Sequence, residues 1–71
     1  MAVAIKKWLN LHPGAYIENR VVERVQGPIG RDESGELACG RHYRKLQLGQ
    51  SSNWSCPLSN CDTRIDTKLA S

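Results

Sequence analysis

The chain contains no phenylalanine, and its aromatic side chains are limited to Trp8, Trp54, Tyr16 and Tyr43. Aromatics bury the most area per residue, so a core with so few of them is thin. In 71 residues such a core offsets the entropy of chain ordering poorly. Domains of this size add a metal, disulfides or a partner subunit. A staple is therefore expected somewhere in the sequence.

Apolar runs are short as well. None approaches the roughly 20 residues of a membrane-spanning helix, so no membrane partner is expected. The opening MAVAIKKWLNLHP reaches Lys6 and Lys7 too early to hold the apolar stretch of a secretory signal. Cysteine is scarce and odd in number: Cys39, Cys56 and Cys61. Disulfide frameworks use cysteines in pairs, and full pairing here would leave one thiol over. The expectation is a cytoplasmic or nuclear location, where thiols stay reduced and bind metals. A secreted peptide with a Cys56–Cys61 bridge and a free Cys39 is the alternative. The glycosylation sequon Asn53-Trp54-Ser55 is taken as a chance match.

Catalytic groupings are missing too. There is no Gly-rich phosphate loop ahead of a lysine, no His-Glu-x-x-His, and no spaced Ser/His/Asp set. Asp32 and Glu33 are adjacent in sequence, so they point apart instead of sharing a proton. Neither enzymatic activity nor a small-molecule substrate is expected.

What the chain does have is an uneven charge distribution. Up to residue 38, Lys6, Lys7, Arg20, Arg24 and Arg31 are balanced by Glu18, Glu23, Asp32, Glu33 and Glu36. From residue 39, Arg41, Arg44, Lys45, Arg64 and Lys68 face only Asp62 and Asp66. The whole net charge of +3 thus lies in the cysteine-bearing half, which suggests an anionic partner for it.

The pattern along the chain predicts an α+β single domain. In AVAIKKWLNL, a helical period puts Ile5, Trp8 and Leu9 on one side and Lys6, Lys7 and Asn10 on the other. Pro13 and Gly14 end that segment. Ile17, Val21, Val22 and Val25 also cluster on a helical face. A strand places Asn19 and Glu23 among its apolar positions, although the β-branched valines favour one. Residues 1–27 are therefore expected to hold one or two helices. Residues 28–38, polar and glycine-containing, read as a loop. LACGRHYRKLQL and NWSC read as short strands around the turn GQSSN, and DTRIDTKLAS as a short helix or last strand.

The strongest signal is Cys39-x2-His42, thirteen residues, then Cys56-x4-Cys61. A structural zinc ion takes four nitrogen or sulfur ligands, and two ligands a few residues apart share one turn. Gly40 lets the backbone bend within the first turn and Pro57 presets the second. The thirteen-residue connection suits two strands and a turn. Trp54 stands two positions ahead of Cys56, placed to cover one side of the metal. His12 is an alternative fourth ligand. Without a metal, the three cysteines would serve as small buried hydrophobes and His42 would be a solvated residue.

CGRHYRKLQLGQSSNWSCPLSNCDTRI resembles the small zinc ribbons of type IA topoisomerase C-terminal regions. It is similar also to the Ogr/Delta-type late-gene activators of temperate phages. The matching positions are Cys39, His42, Cys56 and Cys61, with NWSCPLSNCD the closest stretch; His42 stands where those ribbons carry a cysteine. The likeness covers about a third of the chain and leaves residues 1–38 without a counterpart. It implies a structural Zn2+ in a C-terminal β-ribbon of residues 39–71, and a module that binds nucleic acid or regulates transcription.

The residues themselves offer a surface for that. If residues 41–48 form a strand, Arg41, Tyr43 and Lys45 share one face, with cations for phosphates and a ring for a base. Arg44, Arg64 and Lys68 would extend the patch. The competing expectation is a protein–protein adaptor that docks an amphipathic N-terminal helix, through Ile5, Trp8 and Leu9, into a partner's groove.

Overall fold

The computed structural model describes residues 2–50 and 52–69. Among them there is no helix: the protein is all-β, built of two antiparallel sheets. The strands are β1 (Ile5–Leu9), β2 (Tyr16–Ile17), β3 (Arg20–Gln26), β4 (Ile29–Asp32), β5 (Leu37–Cys39), β6 (Gln47–Leu48), β7 (Asn53–Ser55) and β8 (Arg64–Leu69). One sheet has the order β1-β4-β5 and the other β2-β3-β8-β7-β6.

The predicted helices of residues 1–27 are thus strands, and the predicted loop of residues 28–38 is the β4–β5 hairpin. The physical reason is the same in β1 and β3. Each carries a bulge, between Ile5 and Lys7 in β1 and between Val22 and Arg24 in β3. A bulge inserts one residue, so inward side chains on either side of it are three apart instead of two. Val22 and Val25 face Thr67 and Ile65 across β8, on one side of the sheet. Ile5 and Trp8 likewise share a face, opposite Asp32 and Gly30. That spacing imitates a helical turn.

Glu18 and Asn19 then join β2 to β3 in a two-residue turn, both in the left-handed region at φ of 51° and 63°. Positive φ at both central residues is the turn whose twist matches a hairpin. Arg31 holds Glu18 there, its guanidinium 2.7 Å from the carboxylate. In the β4–β5 hairpin, Asp32 accepts hydrogen bonds from the N–H groups of Ser34 and Glu36 at 2.9 and 3.0 Å. Gly35 completes the turn at a φ of 82°.

The core lies where the sheets face each other. Ile17, Val22 and Ile65 from the larger sheet meet Ile29 and Leu37 from the smaller, with Leu9, Leu11, Val25, Leu46 and Trp54 packed around them. Leu9 of the predicted docking face is thus half-buried against the core. The chain passes from the larger sheet to the smaller at Gly27-Pro28. Gly27 has a φ of 80°, and a Cβ there would stand 2.6 Å from Oγ1 of Thr63, a side chain only 1% exposed.

Two glycine substitutions separate backbone strain from close packing. Gly35→Ala imposes positive φ in open space and is expected to cost about 1 kcal/mol. Gly27→Ala adds the collision with Thr63 and is expected to cost about 3 kcal/mol. Urea unfolding of metal-loaded protein measures both, and equal losses would show that Thr63 yields freely.

Candidate metal centre

Cys39 closes β5, and the chain then turns sharply so that His42 comes back beside it. The amide of Tyr43 donates to the Cys39 carbonyl at 2.8 Å, and the amide of Cys39 donates to the Arg44 carbonyl at 2.8 Å. Residues 41–44 are therefore a turn, not the predicted strand. The turn leaves Tyr43 in the left-handed region at a φ of 56°. Cys56 follows β7, and its amide donates to the Thr63 carbonyl at 3.1 Å, which closes the loop carrying Cys61.

These two turns meet. The ligand atoms of Cys39, His42, Cys56 and Cys61 all lie within 4.8 Å of one another. A tetrahedral ion with metal–sulfur bonds of about 2.3 Å sets its sulfurs about 3.8 Å apart. The sulfurs of Cys39 and Cys61 are 3.6 Å apart. All three cysteines are free thiols. Nδ1 of His42 is buried and makes no hydrogen bond, a costly state that a bond to a cation would relieve. The donor set and its spacing thus fit one metal ion. His12, the other candidate, is exposed, with Nδ1 against the Pro13 carbonyl at 3.1 Å.

The surroundings of the thiols differ. Burial pushes Cys61 up, but the hydroxyl and amide of Thr63, with the two other thiols, outweigh it and bring Cys61 down to about 7. Burial also opposes ionisation of Cys39, which is nevertheless lowered by the Thr63 hydroxyl and the amides of His42 and Arg41. The Arg41 amide stands 3.4 Å from the Cys39 sulfur. Cys56 is pushed up to about 11, by burial first and by its neighbouring thiols. Hydrogen bonds to sulfur thus favour ionisation of Cys39 and Cys61, while burial opposes that of Cys56.

Thr63 is the residue that the sequence reading missed. It lies two positions after Cys61, with its hydroxyl 3.4 Å from that sulfur. An apolar period gives no sign of it, because its value lies in a hydrogen bond and in contact with Gly27. An aromatic side chain also lies against the first turn. Trp54 joins the apolar cluster, and the ring of Trp8 occupies the space that a Cβ on Gly40 would need.

The predicted nucleic-acid residues fall on different elements. Arg41 and Tyr43 are exposed and Arg44 is half-buried, all on the first turn. Lys45 is held by acids, 3.4 Å from Glu36 and 4.0 Å from Asp32. Arg64 is held by Asp66 at 2.6 Å, and Lys68 stands exposed further along β8.

Compared with protein families, with curated proteins and with solved structures, the chain matches none. The likeness of residues 39–65 to zinc ribbons therefore rests on ligand spacing.

Metal binding must displace the proton that Cys56 holds at neutral pH. Binding is expected to release at least one proton per ion at pH 7.5, seen by calorimetry in buffers of different ionisation enthalpy. Protonation competes with the metal, so affinity falls as pH falls, and further once Cys61 protonates below about 7. The expected loss between pH 7.5 and 6.0 is at least about 30-fold, since one proton per ion gives tenfold per pH unit.

Proposed function

We propose that the chain is a small nucleic-acid-binding module whose fold is held by one structural zinc ion. Three cysteine sulfurs and an imidazole nitrogen within 4.8 Å of one another are a donor set that suits zinc. The single observation that carries this reading is the convergence of those four side chains from two separate turns. Four protein ligands leave no coordination position for water or substrate, so the metal's role is to hold the chain. Such a module, whose thiols must stay reduced to hold the metal, suits the cytoplasm or nucleus.

The surface supports a polyanionic partner. Among the described residues, Glu18, Asp32, Glu36 and Asp66 are occupied by Arg31, Lys45 and Arg64. Lys6, Lys7, Arg20, Arg24, Arg41, Arg44 and Lys68 form no such pair, against Glu23, Glu33 and Asp62 among the acids. Arg41 and Arg44 flank His42, so zinc would fix the backbone from which both reach. An adaptor that docks an N-terminal helix has lost its basis: residues 5–9 are a strand, and Leu9 packs against the core.

One zinc per chain is expected by native mass spectrometry, and its removal by chelator is expected to abolish the β-sheet circular dichroism signal. A fold indifferent to chelator would remove the structural role. Three to five phosphate contacts to a single strand give an affinity that falls with salt at a log–log slope of roughly −2 to −4. The double substitution Arg41→Gln/Arg44→Gln is expected to make that slope about 1.4 shallower. Absence of salt-dependent binding would end the nucleic-acid reading.

A further inference from the structure

The outer face of the larger sheet is the surface that neither the metal nor the core explains. Cross-strand partners share a face, so the register assigns its rows. Tyr16, Val21 and Lys68 form one row across β2, β3 and β8. Arg24, Asp66 and Asn53 form the next. Gln26, Arg64 and Ser55 form the third, where β7 and β8 run into Cys56 and Thr63. The inner face carries Ile17, Val22, Val25, Ile65 and Trp54. The outer one is polar apart from Val21 and one ring.

That ring is Tyr16, 70% exposed. Its ring face is open to a flat partner such as a base. Asp66 is the one carboxylate in these rows, and Arg64 grips it through both Nε and Nη2, at 3.1 and 2.6 Å. Arg24 and Lys68 are exposed and have no carboxylate within salt-bridge distance among the described residues. The face therefore offers two free cations, a bare ring and short amide and hydroxyl groups; Asp66 is neutralised, and the exposed Glu23 at the β3 bulge, next to Arg24, is left as an unpaired acid among the described residues.

We infer that this face binds single-stranded nucleic acid, with Tyr16 stacking on a base and Arg24 and Lys68 on the phosphates. The inference rests on the nucleic-acid reading above and gives it a strand type and a platform. A duplex keeps its base faces stacked and has none to offer Tyr16, whereas an unpaired strand has one at every nucleotide. Gln26 and Asn53 can meet exposed base edges by hydrogen bonds without demanding one sequence.

The experiment uses the zinc-loaded full chain, a fluorescein-labelled twelve-nucleotide oligothymidylate, and a duplex of equal length, followed by anisotropy against salt. The single strand is expected to bind at least fivefold more tightly than the duplex. Tyr16→Ala is expected to weaken it ~10-fold, and Tyr16→Phe to restore binding to within about twofold. Arg24→Gln/Lys68→Gln is expected to make the salt slope about 1.4 shallower. Circular dichroism checks that these exposed substitutions leave the fold intact. A preference for the duplex overturns the inference. So does wild-type binding by the Tyr16 and Arg24/Lys68 variants while Arg41→Gln/Arg44→Gln loses it; the nucleic-acid reading then survives, with its site at the metal turns. No binding of either probe by the wild type overturns both.

Discussion

The architecture depends on one meeting point between two sheets. Cys39 and His42 come from the end of the smaller sheet, and Cys56 and Cys61 from the β7–β8 connection of the larger. An ion held by all four would brace layers that otherwise share a modest apolar contact. The fully buried aliphatic core is Ile17, Val22, Ile29, Leu37 and Ile65, with no aromatic among them. Where a core is this small, metal-binding free energy and folding free energy become one quantity. The scarcity of aromatics and the presence of the ligand cluster are two sides of one solution.

The residues around the cluster suit that role. The Thr63 hydroxyl is hydrogen-bonded to the Cys61 sulfur, and the Thr63 carbonyl receives the Cys56 amide. Its side chain also fills the space that Gly27 leaves open at the passage between sheets. Pro28 accepts the Gly40 amide at 2.8 Å, and Trp8 lies against Gly40. The passage from one sheet to the other is therefore packed directly against both ligand turns. A disturbance of the ligands reaches the sheet junction without passing through the core.

The ligands were legible in the sequence and the sheets were not, for physical reasons. Ligand spacing within a turn is a local property, set by Gly40, Pro57 and bond lengths. The hairpin β6–β7 between the two pairs was legible from the same spacing. Strand identity in β1 and β3 depended on bulges, whose inserted residue makes Ile5 with Trp8, and Val22 with Val25, look like neighbours on a helix. The turn at Glu18-Asn19 has no glycine to announce it and relies on Arg31, a distant residue, to hold its first member. The predicted basic strand failed on geometry: His42 reaches Cys39 only if the backbone folds back between them. Lys45 and Arg64 lie beside acids contributed by pairing and proximity that composition does not reveal.

The pairing of β3 with β8 joins Arg20 to Leu69, so the centre of the larger sheet is assembled from opposite ends of the chain. Contacts so remote in sequence form late and slowly, because the intervening loop must close before they give any return. The hairpins β2–β3, β4–β5 and β6–β7 are local and can form first. Capture of an ion by the two ligand turns would bring β8 to the passage beside β3 before a single rung of that pairing exists. On this ordering the ion serves as a kinetic shortcut as well as a brace. Chain synthesised without metal would linger with the edge of β3 bare, the condition in which a β protein pairs with its neighbours instead of itself.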